Sequence, residues 1–512
     1  YGMDGLWEFF QQLGRREHYI IMAPLVAAGN PLVWALANFI CWGGVAVSVY
    51  FVVKSMGWGL SSAFWISVLT AALPMNQARF ALAMFPYSFS ALAFAMGLAL
   101  LAASVRNGRL LHRLVGVLCL TYSFSTNSFV VLSALAPIVV FVTFLNLRPG
   151  DVRGALWVTL KRVELFIVPF AYWFVKSSFQ KPYGLYENYN AIKINPLTVL
   201  LESIGALIAQ FPEISTLFPA GPYRFEAYLV GAGFISVFVI ALLLAKVPAR
   251  LSKVALPFRL WVFAGACVAA MLAIFPYVAV GIRPAYYALW ETRHQVTLAV
   301  ISGLLIFAAY RLILPARLMP LVLTFTVFCF LVLNVSTSRQ LMADVYESNA
   351  IIHSPAIASI ADGTLVGVFE DDRPYRMMFR HFQFYDVSSM LNAHSNSKAI
   401  VAMSNLEVVD PATGAYVTAG SDYFPKAVDD LCSGMVAYPQ YGFGDVVANG
   451  TYADVRLVPK SPPPGYFEGL ANVFGLIFQR DQMIGRAVAD LDVQIETRPY
   501  SQARCGLDKK VQ

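Results

Sequence analysis

The chain has 512 residues, of which 58% are hydrophobic and 13% are charged, and its mean hydropathy is +0.61. A soluble globular protein carries about twice that charged fraction, so the composition excludes this class and predicts several membrane-spanning helices. The net charge of +7 combines a basic part up to Val335, with 23 Lys and Arg against 10 Asp and Glu, and an acidic remainder, with 14 against 20. No nucleic-acid motif accompanies the basic excess, so we predict a lipid bilayer and no nucleic acid as partner.

The first thirty residues are too polar to cross a bilayer. Apolar residues recur with helical period over 6–13, which predicts an amphipathic helix lying in the membrane interface. Asp4 stands just before this helix in a Gly-flanked turn, either as an N-cap or as a catalytic acid at the bilayer surface. Glu8 falls in the first helical turn, where the helix dipole favours an acid. We expect a further span upstream of Tyr1.

Apolar runs of spanning or near-spanning length follow this segment. They lie at 32–53, 59–75, 84–104, 128–146, 163–178, 225–245, 259–280, 296–313 and 318–335. A shorter run at 114–122 leads into Ser and Thr residues, which predicts a half-helix that breaks inside the protein.

Lys and Arg are concentrated in alternate loops. These loops contain fourteen basic residues and only two acidic ones, Asp151 and Glu164. By the positive-inside rule these loops are cytoplasmic. The remaining segments then face outward, namely the first thirty residues, the loops 74–88 and 281–295, the long segment 179–224 and the tail from Ser336.

The outer loops carry cationic side chains that suit a phosphate. Arg79 in loop 74–88 is either a snorkelling interfacial residue or a phosphate contact, because guanidinium binds phosphate through two hydrogen bonds. Arg283, Arg293 and His294 lie in loop 281–295. Arg293 and His294 stand where a span begins, which is the positive end of its helix dipole. Positive side chains are unfavourable there unless they bind an anion or pair with an acid such as Glu291.

Aromatic and acidic side chains in the same loops suit a sugar. Tyr186 and Glu187 lie in segment 179–224, and Tyr286 and Trp290 lie in loop 281–295. An aromatic belt at the bilayer surface explains the tyrosines equally well. A long outer segment between spans is typical of a functional loop.

The tail, 336–512, has the size of one domain. Helical patterns at 338–361 and 469–478 and strand patterns such as LVGVFE predict an extracytoplasmic α/β or α+β domain. Cys432 and Cys505 are the two cysteines outside the membrane part, so in an oxidising compartment we predict a disulfide between them. We predict no metal site, because the sequence contains no Cys or His spacing typical of zinc sites. The acidic sequence FEDDRP could hold a divalent cation, but a solvated turn explains it better.

This arrangement resembles the GT-C membrane glycosyltransferases. Members carry an acid in the first outer loop, and Asp4 in YGMDGLWEFF matches this position. Members also have a long outer loop after their seventh span. If a span upstream of Tyr1 is counted, 163–178 is the seventh span and 179–224 is that loop. Arginines of a late outer loop, similar to TRH at 292–294, hold the lipid phosphate in such enzymes. Many members have a paired acid, whereas Gly5 follows Asp4 here, and Glu8 is the second candidate.

The predicted fold is a membrane all-α bundle with about ten spans in 1–335 and the tail domain in 336–512. The resemblance implies an inverting glycosyltransferase of the inner (plasma) membrane, which moves a sugar from a polyprenyl-phosphate donor to a glycan or lipid-linked acceptor on the extracytoplasmic face during cell-envelope polysaccharide biosynthesis. Asp4 or Glu8 would be the catalytic base. No cofactor is required, although some members use a divalent cation.

Other classes remain open at this stage. The chain is alternatively a transporter or flippase of lipid-linked sugars, an O-antigen polymerase or ligase-like protein, or a non-catalytic assembly protein. The lack of an internal repeat and of intramembrane charge pairs argues against a transporter.

Overall fold

The structure is a computed structural model and describes residues 3–28, 31–80, 84–183, 196–215, 224–244, 255–282, 284, 291–361, 364–370, 401–404, 406–409, 416–419, 451–460 and 464–499. The chain forms two compact units, the first comprising Gly2–Ser338 and the second Arg339–Gln512 with Tyr1.

Helices are the secondary structure of the first unit among its described residues. Its helices are α1 (Met3–Gln12), α2 (Arg16–Ala28), α3 (Pro31–Ser55), α4 (Leu60–Ala72), α5 (Phe85–Asn107), α6 (Leu110–Ser123), α7 (Ser128–Leu132), α8 (Leu135–Leu147), α9 (Val152–Leu160), α10 (Glu164–Phe179), α11 (Pro196–Ser215), α12 (Arg224–Leu244), α13 (Leu256–Ala279), α14 (Val296–Ile313) and α15 (Met319–Ile352). Helix α15 includes the boundary between the units. Short 3₁₀ helices occupy Gln77–Phe80 and Glu291–Gln295.

Six helical segments of the described chain are long and apolar enough to cross a membrane. They are Val33–Ser55, Phe85–Asn107, Ser128–Leu147, Leu256–Ala279, Thr292–Ile313 and Met319–Arg339. The chain is therefore a helical membrane protein, as its composition predicts. The predicted runs 59–75 and 163–178 form α4 and α10, of 13 and 16 residues. At 1.5 Å per residue these reach about 20 and 24 Å, less than the roughly 30 Å of a hydrocarbon core.

The predicted break after the short apolar run is present. Helix α6 ends at Ser123 and α7 begins at Ser128, and the intervening Ser125 and Thr126 are buried. Ser90 Oγ of α5 lies 3.0 Å from Ser125 Oγ and accepts a hydrogen bond from Thr126 Oγ1 at 3.1 Å. The hydroxyls at the break are thus paired within the bundle, and the backbone N–H groups of Ser125 and Thr126 donate to the carbonyl oxygens of Tyr122 and Ser123.

The first two helices form a hairpin over α3 and α5. Phe10 of α1 and Met22 of α2 are buried with Cys41 of α3 and Phe85 of α5. One prediction is corrected here. Asp4 does not precede the first helix as an N-cap, because α1 begins at Met3 and includes Asp4 in its first turn. An acid is favoured by the helix dipole at this position too.

The second unit contains two sheets within its described residues. Its strands are β1 (Leu365–Glu370), β2 (Val401–Ser404), β3 (Leu406–Val409), β4 (Tyr416–Ala419), β5 (Thr451–Pro459) and β6 (Leu491–Pro499). Four strands pair in the order β2-β1-β5-β6, with β1 parallel to β2 and β5, and β5 antiparallel to β6. Strands β3 and β4 form a separate antiparallel pair.

Helices pack against the four-stranded sheet. They are the end of α15, α16 (Pro355–Ala358), α17 (Tyr466–Phe478) and α18 (Arg480–Asp490). The core between them and the sheet includes Ala350, Ile357, Val366, Val455 and Leu457. The predicted strand LVGVFE coincides with β1, whereas α18 and the pair β3–β4 carry no prediction from the sequence.

Candidate functional site

Gly14 forms the turn that joins α1 to α2. Its φ of +63° lies in the left-handed region, which glycine adopts without a steric penalty. A Cβ built at this position would clash with the carbonyl oxygen of Gln180, so the segment after α10 packs directly on the turn. The Gly-Arg-Arg sequence therefore serves two purposes, since it reverses the chain and allows close backbone contact.

Glu8 lies on the exposed side of α1, where it binds the segment after α10. Tyr183 Oη donates a hydrogen bond to Glu8 Oε1 at 2.6 Å, and Gln12 Nε2 donates to the same oxygen at 3.4 Å. The Tyr183 backbone N–H donates to the Gln12 carbonyl oxygen at 3.1 Å. The hydrogen bond to Glu8 raises the pKa of Tyr183, because the carboxylate favours the neutral phenol. Glu8 Oε2 accepts no hydrogen bond from the described residues.

Arg15 and His18 point inward from the same hairpin. Arg15 Nη1 donates to Tyr87 Oη of α5, and its guanidinium lies 5.4 Å from the centroid of that ring. His18 is buried, with Nε2 3.2 Å from Ser125 Oγ. Burial and the nearby charges of Arg15 and Lys176 hold the pKa of His18 well below its usual value. His18 is therefore a neutral imidazole at pH 7.

Glu17 joins the hairpin to α10. Lys176 Nζ lies 3.1 Å from Glu17 Oε1, and Tyr172 Oη donates to the same oxygen at 2.8 Å. Lys176 Nζ also donates to the Ser125 carbonyl oxygen at 3.5 Å. The hairpin, the break after α6 and α10 thus share one polar network, in which each charged member has hydrogen-bonding partners.

The predicted loops 74–88 and 281–295 come together through their 3₁₀ helices. The Asn76 backbone N–H donates to Gln295 Oε1 at 3.0 Å, and the Ala78 backbone N–H donates to Thr292 Oγ1 at 2.8 Å. Gln295 Nε2 in turn donates to Gln210 Oε1 of α11 at 2.6 Å. The structure therefore brings Arg79, Arg293 and His294 into one part of the first unit.

Two amide side chains are buried where these loops meet. Asn76 and Gln77 are 1% and 0% exposed, and neither side-chain amide makes a hydrogen bond to the described residues. Asn76 also has a φ of +53°, which is uncommon for a residue other than glycine. Buried amides normally find partners in protein, water or ligand, so these two mark a polar site.

Arg79 is buried, which disagrees with one of its two predicted roles, the snorkelling interfacial residue, and leaves the phosphate contact as a prediction. Its Nη2 donates to Asn334 Oδ1 of α15 at 3.0 Å, and its guanidinium lies 5.0 Å from the centroid of Trp42. Asn38 Nδ2 donates to the Arg79 carbonyl oxygen. Burial lowers the pKa of Arg79 to about 10, which still leaves it protonated at pH 7. Arg79 is a buried cation that joins loop 74–88 to α15 and α3.

Tyr277 of α13 links the two polar regions. Its ring meets that of His294 edge-on at a centroid distance of 5.4 Å, and its Oη lies 2.9 Å from Ser128 Oγ. Tyr277 therefore connects the break after α6 with the joined outer loops.

Several predicted site residues lie wholly or partly outside the described part of the chain. Only the backbone of Asp4 is described, and it stands one helical turn before Glu8 on the same helix. Outside the described residues lie Arg283, Tyr186, Glu187, Tyr286, Trp290, Cys432 and Cys505, so the predicted sugar contacts and the disulfide remain predictions. The cysteines at 41, 119, 267 and 329 are free.

The structure also shows polar residues that sequence reasoning did not single out. Arg15, His18, Glu17 and Lys176 acquire their roles through contacts between positions far apart in the sequence, such as the 159 positions that separate Glu17 from Lys176. One local signal was available, because Arg15 and His18 follow the Gly14 turn inside an otherwise apolar pattern.

Neither a metal centre nor a relative identifies the site. Among the described residues, no group of three His, Cys, Asp or Glu side chains is placed to hold a metal ion. Comparisons of the chain with protein-family models, with curated proteins and with solved structures found no match.

Proposed function

We propose that the chain is a membrane glycosyltransferase that moves a sugar from a polyprenyl-phosphate donor to a glycan or lipid-linked acceptor on the extracytoplasmic face. The proposal depends on the sequence resemblance and on three features of the first unit, namely the exposed carboxylate of Glu8, the buried amides of Asn76 and Gln77, and the buried cation Arg79. The observation that carries it is the environment of Glu8.

Glu8 has the features of a general base. Oε1 accepts hydrogen bonds from Tyr183 and Gln12, which orient the carboxylate, while Oε2 takes none from the described chain. A base needs such an open lone pair within hydrogen-bonding reach of the group that it deprotonates. Asp4 stands one turn earlier on α1 and is the second candidate acid of this helix. We assign the base to Glu8, with Asp4 as the alternative.

The proposed reaction is an inverting displacement. Glu8 Oε2 takes the proton of an acceptor hydroxyl, and the resulting oxygen attacks the anomeric carbon from the side opposite the lipid phosphate. The bond from the anomeric carbon to the phosphate oxygen breaks, and the lipid phosphate leaves as an anion. Cationic side chains aimed at this anion stabilise the charge that develops on it.

Donor binding in this proposal uses the joined outer loops. Arg293 and His294 stand at the start of α14, and the proposal assigns them to the lipid phosphate together with Arg283. The buried amides of Asn76 and Gln77 offer donors and acceptors that suit sugar hydroxyls. Tyr186, Glu187, Tyr286 and Trp290 complete the proposed sugar and acceptor contacts. No cofactor is required by this chemistry, and a divalent cation is an addition that some similar enzymes use.

The test is the transfer rate of the purified full chain with polyprenyl-phosphate sugars as donors. We expect Glu8→Gln to remain folded and to lose about a hundredfold or more in turnover, which is the usual contribution of a general base. Glu202→Gln is the matched control, because Glu202 is an exposed acid on α11. Asp4→Asn separates the two candidate acids.

Three results would contradict the assignment. Normal turnover in Glu8→Gln with loss in Asp4→Asn would transfer the role of base to Asp4. Normal turnover in both variants would rule out this mechanism. Movement of the donor lipid across vesicle membranes without sugar transfer would place the chain among the transporters.

A further inference from the structure

Two glutamine side chains of the first unit hold its outer loops together. Gln210 Nε2 donates a hydrogen bond to the Pro284 carbonyl oxygen at 3.0 Å, and its Oε1 accepts one from Gln295 Nε2 at 2.6 Å. Gln295 Oε1 in turn accepts a hydrogen bond from the Asn76 backbone N–H at 3.0 Å. Both amides are buried and each uses its oxygen and its nitrogen, so their role is structural.

The neighbouring amides of Asn76 and Gln77 differ from this pair. Both side chains are fully buried, and within the described chain neither the oxygen nor the nitrogen of either amide makes a hydrogen bond. The backbone on both sides of Gln77 is fixed, because the N–H groups of Asn76 and Ala78 donate to side chains of the other loop. A buried amide without a partner lowers stability, so these two amides are suited to a bound partner.

The chemistry of the two amides selects the class of partner. A cation would pair with the two oxygens and leave both NH₂ groups unpaired, and an anion would do the reverse. An O–H group both donates and accepts, so a partner with O–H groups can satisfy the oxygen and the nitrogen of each amide. Sugars carry such groups on neighbouring carbons, and water is the other source of the same chemistry.

We propose that Asn76 and Gln77 bind two hydroxyls of the donor sugar and determine which sugars the chain accepts. This inference rests on the proposed function and adds the class of donor, which is a sugar with two free, uncharged hydroxyls on neighbouring carbons. A site built to bind a hydroxyl discriminates strongly against the analogue that lacks it, because the buried polar atoms of the site are then left unpaired.

The test measures binding by the full chain in detergent, so it does not depend on sugar transfer. Native mass spectrometry gives the Kd of polyprenyl phosphate and of polyprenyl-phosphate glucose, galactose, mannose, arabinose and N-acetylglucosamine. We define the sugar ratio as the Kd of the bare lipid phosphate divided by the Kd of the same lipid phosphate carrying the sugar. The sugar with the largest ratio is then compared with its monodeoxy analogues.

Two variants remove the proposed contacts with little change of shape. Gln77→Met replaces the amide with an apolar chain of similar length, and Asn76→Gly retains the left-handed backbone, whose φ is +53°. We expect each variant to lower the sugar ratio about tenfold or more and to leave the Kd of bare polyprenyl phosphate unchanged. Removal of either of two neighbouring hydroxyls should have a similar effect on the unmodified chain and little further effect on Gln77→Met.

Gln210→Met is the matched control for a structural role. It removes a paired amide and should lower the thermal unfolding temperature, whereas Gln77→Met removes an amide without a partner in the described chain and should keep or raise it. A lower unfolding temperature for Gln77→Met than for the unmodified chain would overturn the proposal, because Gln77 would then stabilise the fold.

The binding data can also overturn the proposal. A sugar ratio that both variants leave unchanged would do so, and water would then be the partner of the two amides. A panel in which no sugar increases the affinity for the lipid phosphate would do so as well. Failure of the proposed function has a different result: the variants lower the sugar ratio as expected, but the unmodified chain transfers no sugar to any acceptor.

Discussion

Lys176 Nζ lies 3.1 Å from Glu17 Oε1, and this ion pair joins α10 to α2 across 159 positions of sequence. The two side chains are only 12% and 20% exposed, so solvent screens their attraction little. The Ser125 carbonyl oxygen and the Tyr172 hydroxyl complete the surroundings of the ammonium group. The pair therefore holds the outer hairpin, the break after α6 and α10 together.

Removing one member of this pair leaves the other as an uncompensated charge. Such a loss costs about 3–5 kcal/mol in a fully buried pair, and we expect about 2–3 kcal/mol for Glu17→Gln or Lys176→Met because both side chains keep some exposure. The measurement is thermal unfolding of the purified protein in detergent. The exposed pair of Arg486 and Glu468 is the control, and Arg486→Gln should cost less than about 1 kcal/mol. Equal effects at the two pairs would show that burial does not matter here.

Gly14 and Gly108 form a matched pair of left-handed glycines. Their φ values are +63° and +68°, but a Cβ at Gly14 meets the Gln180 carbonyl oxygen whereas a Cβ at Gly108 has nothing within 4 Å. Gly108→Ala should therefore cost about 1–2 kcal/mol from backbone conformation alone. Gly14→Ala should cost clearly more and should also separate Tyr183 from Glu8. Similar thermal stabilities of the two variants would contradict the close contact at Gly14.

We expect the free energy of unfolding to decrease at acidic pH because of His18. An unfolded chain has a His pKa of about 6.5, whereas burial and two nearby cations lower the pKa of His18 in the folded state. Below about pH 6.5 the unfolded chain binds a proton that the folded chain does not, so stability falls as the pH decreases. The variant His18→Gln should show a flatter decline of thermal stability over this range than the unmodified chain.

Arg79 is expected to stabilise the fold through its contacts with Asn334 and Trp42. Lysine cannot make both the hydrogen bond to Asn334 and the guanidinium contact with the Trp42 ring, so Arg79→Lys should cost about 1.5–3 kcal/mol although the charge is kept. Asn334→Ala should destabilise the protein similarly. If Arg79 instead serves mainly as a phosphate ligand, Arg79→Lys will raise the KM for the donor and leave the unfolding temperature unchanged.

Hydropathy and helical period were sufficient to predict the helical membrane class, the first-loop helix and the break at 123–128, because each depends on neighbouring residues. The predicted start of the first helix was wrong by two residues, because α1 begins at Met3 and not after Asp4. Capping signals locate a helix start only approximately. Such patterns could not predict the hydrogen-bonding partners of Glu8, Glu17 and Arg79. They depend on how helices pack, and no local signal pairs Tyr183 with Glu8 or Asn334 with Arg79.

The hydrogen bonds between the two 3₁₀ helices also have a consequence for biosynthesis. Asn76 and Ala78 depend on Gln295 and Thr292, which the ribosome adds more than 200 residues later. Until then the backbone N–H groups of the earlier segment lack their final acceptors, and an unpaired N–H group is costly away from water. This part of the molecule is consequently completed late, after α13 has been inserted. Nascent chains halted before Glu291 should be cleaved by protease within 73–80, and chains extended past α14 should resist.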